Sequence, residues 1–147
     1  MFRSPADLEA HRRRLLAETP AEARRIVISS GTCGRAYGAI PLAGSFHREL
    51  EKRSLAESTA VRITGCLGFC EQEPLVILEP SGVCYPRPKL EDVPAIVEKT
   101  LLGGEAIESL LYRDPSTRER ISHLEEIPFY KQQNPILFGA NRLMDPT

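Results

Sequence analysis

Four cysteines carry most of the chemistry that the sequence offers, because thiolates bind soft metals and take part in redox reactions. Their spacing is C-x32-C-x3-C-x13-C, at Cys33, Cys66, Cys70 and Cys84. Cys33 lies in a glycine-rich stretch directly after a predicted strand, and Cys66 and Cys70 lie in a second glycine-containing loop, residues 64–70. If the first and third strands run side by side, both loops lie near one edge of a sheet and three sulfurs converge there.

Three other uses of cysteine fit this pattern less well. Zinc sites commonly use C-x2-C pairs completed by a second pair or by histidines, whereas the spacing here is x3 and the three histidines are scattered. A dithiol catalyst needs C-x-x-C at a helix start, which is missing from the sequence. A purely structural role suits Cys84, which is expected in mid-strand, but it suits the loop cysteines poorly.

An iron–sulfur site explains the loop composition best. Glycines let backbone N–H groups approach thiolate and sulfide closely, and such hydrogen bonds stabilise the negative charge of a cluster. Leu67 and Phe69 flank the loop cysteines and would screen a cluster from water. Glu71 and Glu73 would lower its reduction potential and Arg35 would raise it, with weaker effects if these side chains face water.

The elements that must position these loops follow from hydrophobic periodicity and turn residues. We predict helices near 5–18, 36–53 and 90–102 and strands at 25–30, 60–64, 75–79 and 83–86. The last two strands should form a hairpin through the Pro-Ser-Gly turn at 80–82. Periodicity fades after Gly104, apart from a short helical piece at 106–111, so the predicted organisation is a domain at 1–111 and a linker or docking tail at 112–147.

Charge and composition exclude several classes of protein. The 147 residues carry 19 basic and 20 acidic side chains, a net charge of −1, which gives no basic surface for nucleic acid. No apolar run approaches the roughly 20 residues of a membrane span, and no signal-peptide core is present. We therefore expect a cytoplasmic protein without membrane insertion.

Two segments resemble the thioredoxin-like [2Fe–2S] ferredoxins, in particular the domain at the N-terminus of the flavin-binding subunit of NAD-linked hydrogenases and NADH dehydrogenases. They are SSGTCGRAYGAI (29–40) and TGCLGFCEQEPLVILEPSGVCYPRPKLEDVPAIVEKTLLGGEAIESLL (64–111). The resemblance implies an α/β fold with a small mixed four-stranded sheet flanked by helices and an extended C-terminal tail. It also implies a one-electron carrier, not an enzyme alone, that exchanges electrons with a flavin- and NAD-binding oxidoreductase subunit or domain. Association of two copies into a homodimer is also compatible with the resemblance.

The resemblance also implies a ligand set for a [2Fe–2S] cluster. Cys66 and Cys70 match the family's second cysteine pair, and Cys33 is displaced by one residue from a position of the first pair. The fourth ligand is Cys84 or Ser29, which aligns with the other position of the first pair. The alternative is a cluster-free thioredoxin-like adaptor that organises a multi-subunit redox complex.

Two further expectations concern the backbone and the tail. The resemblance implies a cis peptide bond before Pro74, where thioredoxin folds often carry one. The tail should pack along its own domain or a partner through apolar anchors, at Ile127, Phe129, Tyr130, Ile136 and Phe138.

Overall fold

The computed structural model of the protein describes residues 4–18 and 24–136. Its helices are α1 (Pro5–Glu18), α2 (Thr32–Ala36), α3 (Ala39–Lys52), α4 (Val93–Ala95) and α5 (Pro128–Lys131), and its strands are β1 (Arg24–Ser29), β2 (Thr59–Thr64), β3 (Leu75–Glu79), β4 (Val83–Pro86), β5 (Tyr112–Arg113) and β6 (Arg120–Ile121). α4 continues into a π-helix, Ile96–Leu102. The four predicted strands are confirmed. The bond before Pro74 is cis, as expected.

Four strands form one mixed sheet in the order β2-β1-β3-β4. β1 runs parallel to β2, with Ser29 opposite Thr64, while β3 is antiparallel to β1 and to β4. Parallel strands end at the same edge, so the loops that carry Cys33 and Cys66 leave the sheet side by side. β3 starts from that edge, because it runs the other way. The topology therefore places the approach from Cys70 to β3 beside both loops.

Helices cover one face of the sheet. In α3 the residues Leu42, Phe46 and Leu50 follow the helical period and are buried against Ile26 and Ile28 of β1, within one core cluster. Pro41 falls in the first turn of α3, where its missing N–H costs no helical hydrogen bond. This face is closed by the π-helix, whose Ile96 and Val97 are also fully buried.

The C-terminal segment covers the other face. Tyr112, Leu124 and Ile127 form a second core cluster with residues of β1, β3 and β4, among them Cys84. The Cys84 N–H donates to the Ser122 carbonyl at 2.7 Å, so the segment also pairs with the outer edge of β4.

The expected anchors of the tail lie in different places. Ile127 is fully buried, and Phe129 and Tyr130 pack on the second cluster. Ile136 is 87% exposed, and Phe138 lies outside the described residues. Among the helices of 4–18 and 24–136, none combines the length and apolar character needed to cross a membrane.

Candidate functional site

The two cysteine loops touch at the sheet edge. A Cβ added at Gly31 would lie 2.7 Å from the Cβ of Cys66, which is closer than real Cβ contacts come, so only glycine lets these loops meet as they do. Cys33 sits in α2, the short helix that follows β1, and α2 contacts the 3₁₀ turn Cys70–Gln72. Topology thus brings all three predicted ligands to one edge.

Cys66 and Cys70 form a close pair. Their Sγ atoms are 3.8 Å apart. Metal–sulfur bonds of about 2.3 Å in a tetrahedral site place two thiolates about 3.8 Å apart, so the pair matches one edge of such a site. The loop turns at Gly68, where φ is +92°, and the Gly68 N–H donates to Cys66 Sγ at 3.2 Å. That donor stabilises a thiolate at Cys66.

The other predicted ligands are placed differently. Within the described residues, no three histidine, cysteine or acidic side chains are grouped so that they could hold a metal ion, which leaves Cys33 outside a ligand group with the close pair. Ser29 is fully buried; its hydroxyl donates to Glu73 Oε2 at 2.7 Å and accepts the Leu75 N–H at 2.8 Å. Cys84 is buried in the second core cluster. The residues present therefore fit one half of a cluster site.

Glu73 is a fully buried acid that ties the two loops together. Its Oε2 bonds to Ser29 at the end of β1 and lies where a Cβ of Gly34, next to Cys33, would sit. Burial raises the pKa of Glu73, while the Ser29 hydroxyl and the backbone N–H of Leu67 partly oppose the change. Burial thus stabilises the neutral form of this carboxyl relative to a carboxyl in water, and its hydrogen bond to Ser29 links the loop before β3 to the end of β1.

Burial also raises the pKa of the Cys66 thiol. The Gly68 N–H lowers it, whereas the hydrogen bond to Cys70 and the charges of Cys70 and Glu73 raise it further. Without a metal the thiol is held protonated more firmly than a free cysteine. A bound metal must therefore displace this proton.

An aromatic cluster secures the loop from the second face. Phe69, between the paired cysteines, stacks on Phe129 with ring centroids 4.3 Å apart and meets Tyr130 edge-on at 5.9 Å and Tyr112 at 5.8 Å. Only 6% of Phe69 is exposed. The ring packing holds the loop in place and shields its inner side from water.

Sequence reasoning missed two features of this site. The sequence indicates Glu73 only as a charge near a cluster, yet it is buried and hydrogen-bonded to Ser29, 44 positions earlier in the chain. The sequence indicates Tyr130 only as an apolar anchor of the tail, yet its ring packs against Phe69 of the cysteine loop. The one local signal at Glu73 is the adjacent Pro74, for which the resemblance implies a cis peptide bond. No local signal singles out Tyr130.

The sequence and fold are similar to known ferredoxins. No family model matches the chain. A [2Fe–2S] ferredoxin of Clostridium pasteurianum is 37% identical over 71 residues, 48% of this chain and 70% of that protein. A [2Fe–2S] ferredoxin of Aquifex aeolicus is 46% identical over 54 residues, 37% of this chain and 49% of that protein.

A solved structure extends the similarity to the fold. The thioredoxin-like [2Fe–2S] ferredoxin of Aquifex aeolicus superposes with a TM-score of 0.56 and 30% identity, covering 61% of this chain and 90% of that one. The expected α/β fold, with a mixed four-stranded sheet flanked by helices, is confirmed. This chain belongs to the thioredoxin-like [2Fe–2S] ferredoxin family.

Proposed function

We propose that the chain is a one-electron carrier that holds a [2Fe–2S] cluster through Cys33, Cys66 and Cys70. The observation that carries this proposal is the Cys66–Cys70 pair, whose sulfurs are spaced as one edge of a tetrahedral thiolate site. When bound, the cluster supplies reversible uptake of one electron at iron. No substrate bond changes, so the module is not an enzyme by itself.

The surrounding residues would tune such a site. The Gly68 N–H stabilises negative charge on Cys66, which favours the reduced form. Phe69 excludes water from the inner side of the loop, while Cys70 is exposed. Electrons would therefore enter and leave through the outer side of the pair, at Cys70.

The fourth ligand is proposed to be Cys84 or Ser29. Ser29 would have to give up hydrogen bonds to Glu73 and Leu75, and Cys84 would have to leave a packed strand position opposite Ile77. Single alanine variants at these two positions tell them apart, because only the variant of the true ligand loses the cluster.

A flavin- and NAD-binding oxidoreductase subunit or domain is the proposed redox partner, in the cytoplasm. The support is the resemblance of the segments at 29–40 and 64–111. Residues 112–147 would link the 1–111 domain to that partner or dock there, although 112–131 also pack on their own sheet. A homodimer would leave this assignment unchanged.

A second candidate is a cluster-free adaptor of the same fold within a redox complex. The observation that favours it is that the described residues bring only two cysteines to ligand spacing. The adaptor would keep the fold and the docking surfaces but carry no electron.

Anaerobic purification and reconstitution with iron and sulfide decide between the two. The carrier should be reddish-brown, with about two irons and two sulfides per chain. Cys66→Ala and Cys70→Ala should abolish the colour, and Cys33→Ala should do so as well. Cys84→Ala is expected to keep it, with some loss of packing stability. A wild-type chain that stays colourless and iron-free after reconstitution would overturn the carrier function and favour the adaptor.

A further inference from the structure

A groove lies on the surface between the end of α2, the first turn of α3 and the segment that follows β4. Its volume is about 580 Å³, within the range of clefts that bind ligands. Most of its lining is apolar, from Tyr37, Pro41, Leu42, Pro74, Pro88 and Leu90. The cations in its lining are Arg87 and Lys89.

The groove adjoins the edge of the sheet that carries the cysteine loops. Where α2 ends, the Tyr37 N–H donates to the carbonyl of Cys33 at 2.9 Å. Pro74, a second lining residue, lies between the 3₁₀ turn Cys70–Gln72 and the start of β3. A molecule bound in the groove would therefore lie at the same edge as the cysteines.

Large apolar side chains are exposed to solvent at this groove. Tyr37 is 58% exposed and Leu90 is 50% exposed, and both line it. Ile40, which directly precedes the lining residue Pro41, is also exposed. Exposed apolar side chains that are grouped in one place are typical of an interaction site, whereas single ones are ordinary.

Arg87 places a cation at the rim of the groove. Its guanidinium carbon lies 5.3 Å from the centre of the Tyr37 ring. The backbone of Arg87 is left-handed, with φ at +50°, and its N–H donates to the Pro74 carbonyl at 2.9 Å. Within residues 4–18 and 24–136, no ion pair involves this guanidinium. A guanidinium in this position can hold a carboxylate with two N–H donors at once.

The other charged groups of the groove leave the charge of Arg87 in place. The Lys89 ammonium lies 3.5 Å from a carboxylate oxygen of Glu91, and Asp92 accepts the backbone N–H of Lys89. Glu73 also lines the groove, but its side chain is fully buried. The groove therefore combines an apolar lining with one positive charge that has no acidic partner in the described part of the chain.

We propose that this groove docks a segment of a partner protein in which an acidic side chain lies next to an apolar one. Arg87 pairs with the carboxylate, and Tyr37 and Leu90 contact the apolar side chain. The positive charge selects an acidic segment, and the apolar lining disfavours a bare anion. The inference goes beyond the carrier function and needs no cluster, because it depends only on side chains of this chain.

The test uses the iron-free full chain and three capped tripeptides. They are acetyl-Leu-Glu-Leu-amide and its counterparts with Gln or Lys at the central position. Amide chemical shifts during NMR titrations report both the place of binding and the affinity. The Glu peptide should shift the groove residues and bind up to about fivefold more tightly than the Gln peptide, as expected for an exposed ion pair. The Lys peptide should bind most weakly.

A matched pair of arginines tests the ion pair. Arg87→Gln should lower the affinity of the Glu peptide to that of the Gln peptide and leave the affinity of the Gln peptide unchanged. Arg118→Gln is the control, because Arg118 is also exposed and left-handed, with φ at +66°, but lies between β5 and β6, outside the groove. It should change neither affinity.

A matched pair of leucines tests the apolar contact. Leu90→Ala should weaken binding of the Glu and Gln peptides by the same factor, since it removes apolar area and no charge. Leu102→Ala removes a leucine that is 44% exposed and lies outside this groove, and it should leave both affinities unchanged. Equal effects of the two leucine variants would contradict the assignment of the apolar contact to the groove.

Three results would overturn the docking proposal. The first is a Glu peptide that shifts no groove residue or binds no more tightly than the Lys peptide. The second is hexanoate binding more tightly than the Glu peptide, which would assign the groove to a small carboxylate ligand. The third is self-association of the wild type that Arg87→Gln abolishes, which would make a second copy of the chain the occupant. The carrier function fails separately, on iron and sulfide content.

Discussion

The two faces of the sheet differ in how their buried polar groups are paired. On the helix-covered face the core is apolar, and the one buried tyrosine there, Tyr85, has its hydroxyl bonded to Thr100 and Ile107. The opposite face is covered by residues 112–131, and it holds Cys84 and the unpaired Tyr130 hydroxyl next to the cysteine loop. The helix-covered face pairs its buried tyrosine within its own core, and the other face places an unpaired tyrosine hydroxyl beside the cysteine loop.

The difference separates stability from function. The helix-covered core is apolar and lies away from the cysteine pair, so substitutions there should change the free energy of unfolding alone. A hydroxyl without a hydrogen-bond partner beside paired thiols is typical of a site that is completed by a bound group. Unsatisfied polar groups in proteins often occur at such functional sites. Substitutions there should also change the colour of the protein.

The largest expected effect comes from a matched pair of phenylalanines. Phe69→Ala and Phe46→Ala each remove a buried ring, and each should lower the free energy of unfolding by about 3–5 kcal/mol. Only Phe69 packs between Cys66 and Cys70, so only Phe69→Ala should also reduce iron content and visible absorption. Urea unfolding and iron analysis check both.

One result would contradict the difference between the two faces. It is a Phe46→Ala protein that loses its colour as fully as Phe69→Ala after reconstitution, while the urea titration shows that it is still folded. The cluster would then depend on overall rigidity rather than on the loop packing. A stable, fully coloured Phe69→Ala protein would show equally well that the aromatic cover is dispensable.

A smaller effect is expected from a pair of glycines. The methyl group of Gly31→Ala would collide with the Cys66 Cβ, and separating the two loops should cost about 1–3 kcal/mol and lower iron incorporation. Gly44→Ala places its methyl group 3.4 Å from the flexible end of Arg48 within α3, and it should stabilise the helix by about 0.5–1 kcal/mol.

Thermal unfolding with iron analysis measures both glycine variants. If Gly31→Ala incorporates iron like the wild type and matches its stability, the loops tolerate separation. The contact between Gly31 and Cys66 would then not define the site.

The sheet and the main helices could be predicted because their signals are local. Strands β1 and β3 are β-branched and leucine-rich runs bounded by turn residues, and α3 repeats its apolar residues at the helical period. The hairpin followed from the Pro-Ser-Gly turn at 80–82. The resemblance added the mixed four-stranded sheet. The convergence of the loops followed from the condition that the first and third strands run side by side, which they do.

The elements that cover the second face could not be predicted, although its apolar anchors could, because those elements are too short to show a period. β5 and β6 have two residues each, and α5 has four. Their positions depend on tertiary packing against Phe69 and Ile77. Burial of Glu73 was missed for a related reason: a glutamate next to a loop favours exposure, and only its contact with the distant Ser29 hydroxyl makes burial tolerable.

The smallest expected effect concerns Glu73 and pH. Because burial raises the pKa of Glu73 in the folded chain above the ordinary value of 4.5, the folded state holds this proton more tightly than the unfolded state does. The contribution of Glu73 to stability is therefore complete below the unfolded-state pKa, about 4.3. It is lost as the pH rises through the raised value, since a charge must then be buried.

Glu73→Gln keeps an oxygen that can accept from Ser29 and removes the proton equilibrium. The free energy of unfolding of the variant, relative to the wild type, should therefore increase from acidic to neutral pH and then level off. Urea titrations of the iron-free chain at several pH values measure this difference. Glu71→Gln removes the same charge at an exposed neighbour and controls for net charge. A flat difference for Glu73→Gln would mean that the carboxyl ionises in the fold as readily as in water, and that the bridge to Ser29 carries a charge.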